Sequence, residues 1–250
     1  MKMHDINPSE EKVVLLIHPM LADADLLGKL LCENMGNNYR YLIPDLSGHG
    51  EASESDFESA EKEAEDITAY IKETGIDKIE LAFGASLGGA VLLEIADKGS
   101  LNIRRLLFEG TPLFENAGFL NFFISRIMIK KHRKAISNPP ERNEYKMGLL
   151  FGDEAKKIMA ETMVNISEKS IKNISFACSH VKLPKLSEEM QKNTVFAYGE
   201  KDADLKPAKK KLPKKYPLAR LKVWDGKGHC EKITSDKREY AKMIADLINE

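Results

Sequence analysis

Six short, β-rich apolar runs divide the chain, and most of the intervals between them carry helical patterns. The runs are Val13–Ile17, Tyr39–Ile43, Ile79–Phe83, Leu106–Phe108, Val195–Tyr198 and Leu221–Trp224. Continuous apolar runs of this length suit strands buried on both faces, as in a parallel sheet. Parallel neighbours need crossover connections, and the intervals supply them. Leu26–Met35 has apolar residues at mixed three- and four-residue spacing, and Ser59–Lys72 is a charged helix with Ile67, Tyr70 and Ile71 on its apolar side. Leu87–Ala96 is almost wholly apolar, so it is expected against the sheet. Ser235–Ile248 repeats Tyr240, Ile244 and Ile248 at helical spacing. The expected fold class is α/β, a mostly parallel open sheet with helices on both faces.

The alternation stops between about residues 111 and 192. That stretch holds Phe119, Phe122, Phe123, Ile124, Ile127 and Met128, then the basic run Lys130-Lys131-His132-Arg133-Lys134 and a Pro139-Pro140 break. It reads as a helical insertion, giving a core of residues 1–110 and 193–250 interrupted by 111–192. At 250 residues the chain is long enough for one large domain with such an insertion.

Composition removes several function classes. With 38 Lys and Arg against 39 Asp and Glu, no global charge draws the chain to nucleic acid. Cys32, Cys178 and Cys230 lie far apart with no CxxC pair, which suits a reduced, cytoplasmic protein. The N-terminus is polar where a signal peptide is apolar, and no run approaches the ~18–20 apolar residues of a membrane span, so no stable membrane insertion is expected.

The sharpest local signal is Gly84-Ala85-Ser86-Leu87-Gly88, at the junction of the third run with the apolar helix. A serine at a tight strand-to-helix turn is pushed above the sheet edge, and its flanking glycines let strand and helix approach closely. The helix N-terminus adds free N–H groups and the positive end of a dipole. A Gly-x-Ser-x-Gly also arises by chance as an ordinary turn. The strand–turn–helix context favours the nucleophile.

Here the chain resembles the α/β-hydrolase family over nearly all its length except the insertion. The family orders its triad Ser, acid, His. The fifth run ends in Tyr198-Gly199-Glu200-Lys201-Asp202, similar to the family's Gly-x-x-Asp loop, and the sixth leads to Gly228-His229, similar to its terminal Gly-His. The resemblance therefore implies Ser86 as nucleophile, His229 as base and Asp202 as supporting acid, with Asp204 and Asp225 as rivals for the last role. Alone, such an Asp is more often a turn cap and such a His a structural residue; their joint order argues otherwise.

The oxyanion donors implied are the backbone N–H groups of Leu87 and of Met20. The latter follows His18-Pro19, where the family usually has His-Gly. Proline departs from that pattern but leaves the next N–H free. His18 is expected chiefly to brace its loop and is also a candidate for the substrate pocket. Asp45 and His49 in Pro44-Asp45-Leu46-Ser47-Gly48-His49-Gly50 are read as loop-stabilising, and Cys230 as a packing residue. In this fold, helices inserted before the acid strand commonly cap the site. Phe119, Phe123 and Met128 are then candidates for the pocket wall, with packing inside the cap as the simpler alternative. An interfacial helix attracted to anionic lipid is a third reading. No metal-ligand spacing is present, and no cofactor is required.

The function implied is a serine hydrolase cleaving a carboxylic ester with an apolar acyl or alkyl part. A thioesterase or acylglycerol lipase, a small-peptide aminopeptidase using Glu115 or Glu144 to hold an amine, and a carbon–carbon bond hydrolase share the same triad. A haloalkane dehalogenase needs a carboxylate where Ser86 stands. A small-ligand binding protein that kept the fold is the non-enzymatic alternative.

Overall fold

The computed structural model describes residues 1–250, with side chains for all but residue 120. The first strand, β1 (Lys2–Ile6), was not among the six expected runs. Those six become β2 (Val13–Ile17), β3 (Arg40–Asp45), β4 (Leu81–Ala85), β5 (Leu106–Glu109), β6 (Thr194–Gly199) and β7 (Arg220–Trp224). They form one sheet in the order β1-β3-β2-β4-β5-β6-β7. Only β1 is antiparallel to its neighbour. Strand β1 carries lysine, histidine and aspartate, as edge strands often do, and its pairing with β3 is reinforced by Arg40 donating to both Asp5 carboxylate oxygens at 2.9 and 2.6 Å. No apolar run marks such a strand.

The runs of β2 to β6 are continuous because alternate residues serve two cores. Val13, Leu15 and Ile17 pack with α3 (Ala60–Glu73), α4 (Leu87–Lys98) and α10 (Leu205–Lys215) on one face. Val14 and Leu16 point the opposite way. They meet α1 (Ala24–Leu27), a π-helical turn at Gly28–Cys32, α2 (Glu33–Met35), α11 (Glu231–Ser235) and α12 (Lys237–Asn249). The π turn resolves the mixed spacing of that stretch. Helix α10 escapes a sequence reading because it holds two prolines and six lysines; Leu205, Ala208 and Leu212 nevertheless share a buried stripe.

Helix α4 lies so close to β2 that only glycine fits between them. A Cβ on Gly88 would stand 2.6 Å from the Ile17 carbonyl carbon and 2.7 Å from the His18 oxygen, both backbone atoms that cannot swing aside. Gly88→Ala is therefore expected to cost roughly 3 kcal/mol, seen as a lower midpoint in urea with the slope unchanged.

Between β5 and β6 the chain leaves the sheet as α5 (Gly118–Ile136), α6 (Pro140–Phe151), α7 (Lys156–Asn165) and α8 (Glu168–Ser179), returning through α9 (Glu188–Lys192). These inserted helices form a cap that packs largely on itself: buried His132 bonds the Met163 carbonyl through Nδ1 at 2.9 Å, and Asn143 donates to the Ala135 carbonyl at 2.8 Å. Polar contacts of α8 fasten it to the core. Ser167 donates to Asp56 at 2.5 Å, the Phe57 N–H to Ser170 at 2.9 Å and Asn173 to the Phe57 carbonyl at 2.8 Å. Among the described residues, no helix is long and apolar enough to cross a membrane.

Candidate active site

Ser86 stands alone between β4 and α4 with φ 49° and ψ −109°, a left-handed conformation unusual for a residue with a Cβ. Its N–H donates to the Glu109 carbonyl at 2.8 Å, which holds the strained turn to β5. The hydroxyl lies above the carboxyl edge of the sheet, where the loops after β6 and β7 also end. His229 Nε2 is 2.9 Å from Ser86 Oγ, and His229 Nδ1 is 2.9 Å from Asp202 Oδ2. Three segments far apart in the chain thus meet in one relay.

The rival acids separate by geometry. Asp202 is buried, and its second oxygen accepts the Asp204 N–H at 3.0 Å. Asp204 approaches His229 Nδ1 only to 3.8 Å, outside hydrogen-bond range, and burial pushes its carboxyl up to about 6. Asp225 is exposed. Asp202, Asp204 and His229 offer the one cluster of possible metal ligands among the described residues, although Nδ1 already faces Asp202.

Charge on Cys230 would favour the His229 imidazolium most, but burial raises the Cys230 thiol, so its sulfur is neutral at neutral pH. The Asp202 carboxylate is then the charge that favours the cation, against the cost of burial.

Two supports of His229 escape a reading of the sequence. Gly110 has φ +57°, and a Cβ there would stand 3.0 Å from His229 Cε1 and 2.9 Å from Cys230 Sγ, so only glycine seats the ring. Glu109 is fully buried; Trp224 Nε1 and the Tyr240 hydroxyl donate to its Oε2 at 3.0 and 2.9 Å. It thereby ties β5 to β7 and α12 beneath the His229 loop, and burial pushes its carboxyl up to about 7. An acid and a glycine at the end of an apolar run, Glu109-Gly110, were the available signal.

Met20 and Leu87 both flank the site. Leu87 is the first residue of α4, so its N–H has no partner within the helix. Met20 lines the cavity beside Ser86, in a tight turn closed by the Ala22 N–H on the Pro19 carbonyl at 3.2 Å, with Leu21 at φ 73°. Among the described residues neither N–H donates to another group.

The cavity above Ser86 encloses about 980 Å³. Leu26, Leu30, Met128, Met159 and Ile174 supply apolar wall from both core and cap. Of the four candidate pocket residues only Met128 belongs to it. His18 does not: it is fully buried behind the loop, where Nδ1 pairs with the Pro19 carbonyl at 2.9 Å and Nε2 accepts the Leu46 N–H at 3.0 Å. Phe119 and Phe123 do not either. They lie on the outer face of α5, turned from both the cavity and the cap's interior, which also overturns the packing alternative for them. Helical spacing sets Phe119 and Phe123 on one side of α5 and Met128 on the other, so the three could not all face one cavity.

Asp45 and His49 act within their loops. Asp45 accepts the Ala24 and Glu51 N–H groups at 2.7 and 2.8 Å. His49 is buried beside His18, and that burial lowers it to about 3.

Among solved structures the chain is similar to a carboxylesterase of Nitrososphaera gargenis (15% identity, 98% of this chain and 93% of that chain covered, TM-score 0.76). It is also similar to a thermophilic esterase from Thermogutta terrifontis (19% identity, 99% and 92% covered, TM-score 0.72) and to MenH from S. aureus (18% identity, 99% and 97% covered, TM-score 0.71). At these identities the likeness speaks for the fold. No curated protein matches by sequence. Residues 14–233 match the profile of the family described as the alpha/beta hydrolase family, a span that takes in Ser86, Asp202 and His229. The chain belongs to the alpha/beta hydrolase family.

Proposed function

We propose that this hydrolase cleaves carboxylic esters with an apolar acyl or alkyl part through an acyl-enzyme on Ser86. The relay Ser86–His229–Asp202, with both links at 2.9 Å and opening on a largely apolar cavity, carries the reading. Two of the structural neighbours are described as esterases, which accords with it.

In the proposed reaction Ser86 Oγ attacks the ester carbonyl carbon as His229 Nε2 takes its proton. The carbonyl oxygen becomes an oxyanion facing the Leu87 and Met20 N–H groups, which accept no rearrangement cost as charge develops. Collapse expels the alkoxide, which receives the proton from His229. Water then repeats the sequence on the acyl-enzyme, releasing the acid and restoring Ser86. Asp202 holds the imidazole in the tautomer that leaves Nε2 free to accept, and it stabilises the imidazolium.

An aminopeptidase is less well supported. Glu115 and Glu144 do not line the cavity, and Glu115 is paired with Lys211 at 3.0 Å. Of the carboxylates that do line it, Asp202 is engaged by His229 and Asp204 stands beside that same ring, with Lys131 and Lys201 also on the wall.

The test is labelling of purified protein with a fluorophosphonate, beside Ser86→Ala, followed by p-nitrophenyl esters of increasing acyl length and a thioester. Labelling lost in the variant is expected, with kcat/KM rising about threefold to fourfold per added methylene that the cavity buries. A folded wild type that neither labels nor turns over any ester would make the binding-protein reading the better one.

A further inference from the structure

Helix α5 divides its residues sharply between two sides. Ile124, Met128 and Lys131 line the cavity, while His132 and Ala135 are buried in the cap. On the opposite side Phe119, Phe122, Phe123 and Ile127 are 80%, 52%, 46% and 52% exposed. Their i, i+3, i+4 spacing makes one stripe, which Arg126, Lys130 and Lys134 continue. Phe176 of α8, also exposed, stacks on His180 next to the start of α5. The stripe reaches the cavity itself, since Ile124 both lines the cavity and is 38% exposed.

Four large apolar side chains on one face of a single helix are more than scattered surface residues. Charge identifies what covers them. Helix α5 carries Arg126, Lys130, Lys131, Arg133 and Lys134 with no aspartate or glutamate, on a chain of net charge −1. Of these five only Arg133 is in an ion pair among the described residues, with Glu168. A symmetric pairing of two copies through this face would set the cationic stripe against itself. An anionic lipid surface satisfies both features: acyl chains receive the phenylalanines while headgroups meet the cations.

We propose that the outer face of α5 docks this protein on bilayers bearing anionic headgroups, reversibly and without a spanning segment, with the cavity mouth beside the lipid. This docking does not depend on the serine chemistry. Because Ile124 joins the stripe to the cavity, an apolar ester dissolved in the bilayer has a continuous apolar path towards Ser86.

The test is flotation with vesicles of phosphatidylcholine alone or mixed with phosphatidylglycerol. Three proteins are compared: wild type, the triple variant Phe119→Ser, Phe122→Ser, Phe123→Ser, and the double variant Lys130→Glu, Lys134→Glu. Wild type is expected to partition at least ~10-fold better onto the mixed vesicles, less so in high salt, and each variant to lose ~10-fold or more. Far-UV circular dichroism and turnover of a short soluble ester are expected to stay at wild-type levels, since none of the five residues lines the cavity. The proposal is overturned if wild type stays unbound, if it floats equally on both vesicle types, or if folded variants float as it does. A dimer in sedimentation that the triple variant abolishes, without vesicle binding, would instead assign the face to a second copy. Loss of ester turnover in every protein would sink the serine reading and leave the vesicle result to decide this one.

Discussion

Ser86→Ala is expected to lower kcat for a p-nitrophenyl ester by about a million-fold, His229→Ala by a similar factor, and the double variant by little more than either. The near-identity follows from the relay: the hydroxyl is a useful nucleophile only while His229 Nε2, 2.9 Å away, can take its proton. A residual rate is expected from the Leu87 and Met20 N–H groups and from binding in the cavity. Ser86→Ala removes a hydroxyl without disturbing a packed core, so the loss should come with unchanged circular dichroism and unfolding midpoint. Losses that instead multiply in the double variant would mean that Ser86 and His229 do not act in one step.

Asp202→Asn is expected to cost about 10⁴-fold in kcat, and Asp204→Asn no more than about tenfold. An asparagine at 202 can turn its amide nitrogen towards Nδ1, which reverses the imidazole tautomer and leaves Nε2 unable to accept the serine proton. Asp204, 3.8 Å from the same nitrogen, has no such hold. The pH profile gives a second check. His229 must be neutral to act, so wild-type kcat/KM rises with pH as the imidazolium loses its proton. Without the Asp202 carboxylate the imidazolium loses its counter-charge, and this limb moves to lower pH. Equal losses for both aspartates, or a limb that does not move in Asp202→Asn, would return Asp204 to contention.

The parts legible in the sequence were those with a local physical signature. A strand covered on both faces must be apolar at successive positions, so Val13–Ile17 and the runs of β3 to β6 announced themselves. Strand β7 is the sheet's other edge, with Arg220, Leu221 and Lys222 exposed, and showed only through Leu221, Val223 and Trp224. A strained turn between strand and helix needs small neighbours, so Gly84 and Gly88 marked Ser86. Asp202 and His229 followed from motif and order along the chain, and the fold brings them together with it. Strand β1 had no such signature, because an edge strand is held by backbone hydrogen bonds that any side chains permit. The lysines and prolines of α10 hid its three-residue apolar stripe.

Local pattern thus specified the order of β2 to β7 and of most helices between them, the stretch that leaves the sheet, and the residues ending the strands at the sheet's carboxyl edge. These depend on neighbours a few positions apart. Packing between segments showed that Asp204 stays 3.8 Å from the nitrogen Asp202 reaches, that Gly110 and Glu109 seat and brace the His229 loop, and which side of α5 faces the cavity. Each of those is set by contact between segments distant in the chain. Helical periodicity sorts residues onto faces; which face turns inward depends on what the rest of the chain packs against it.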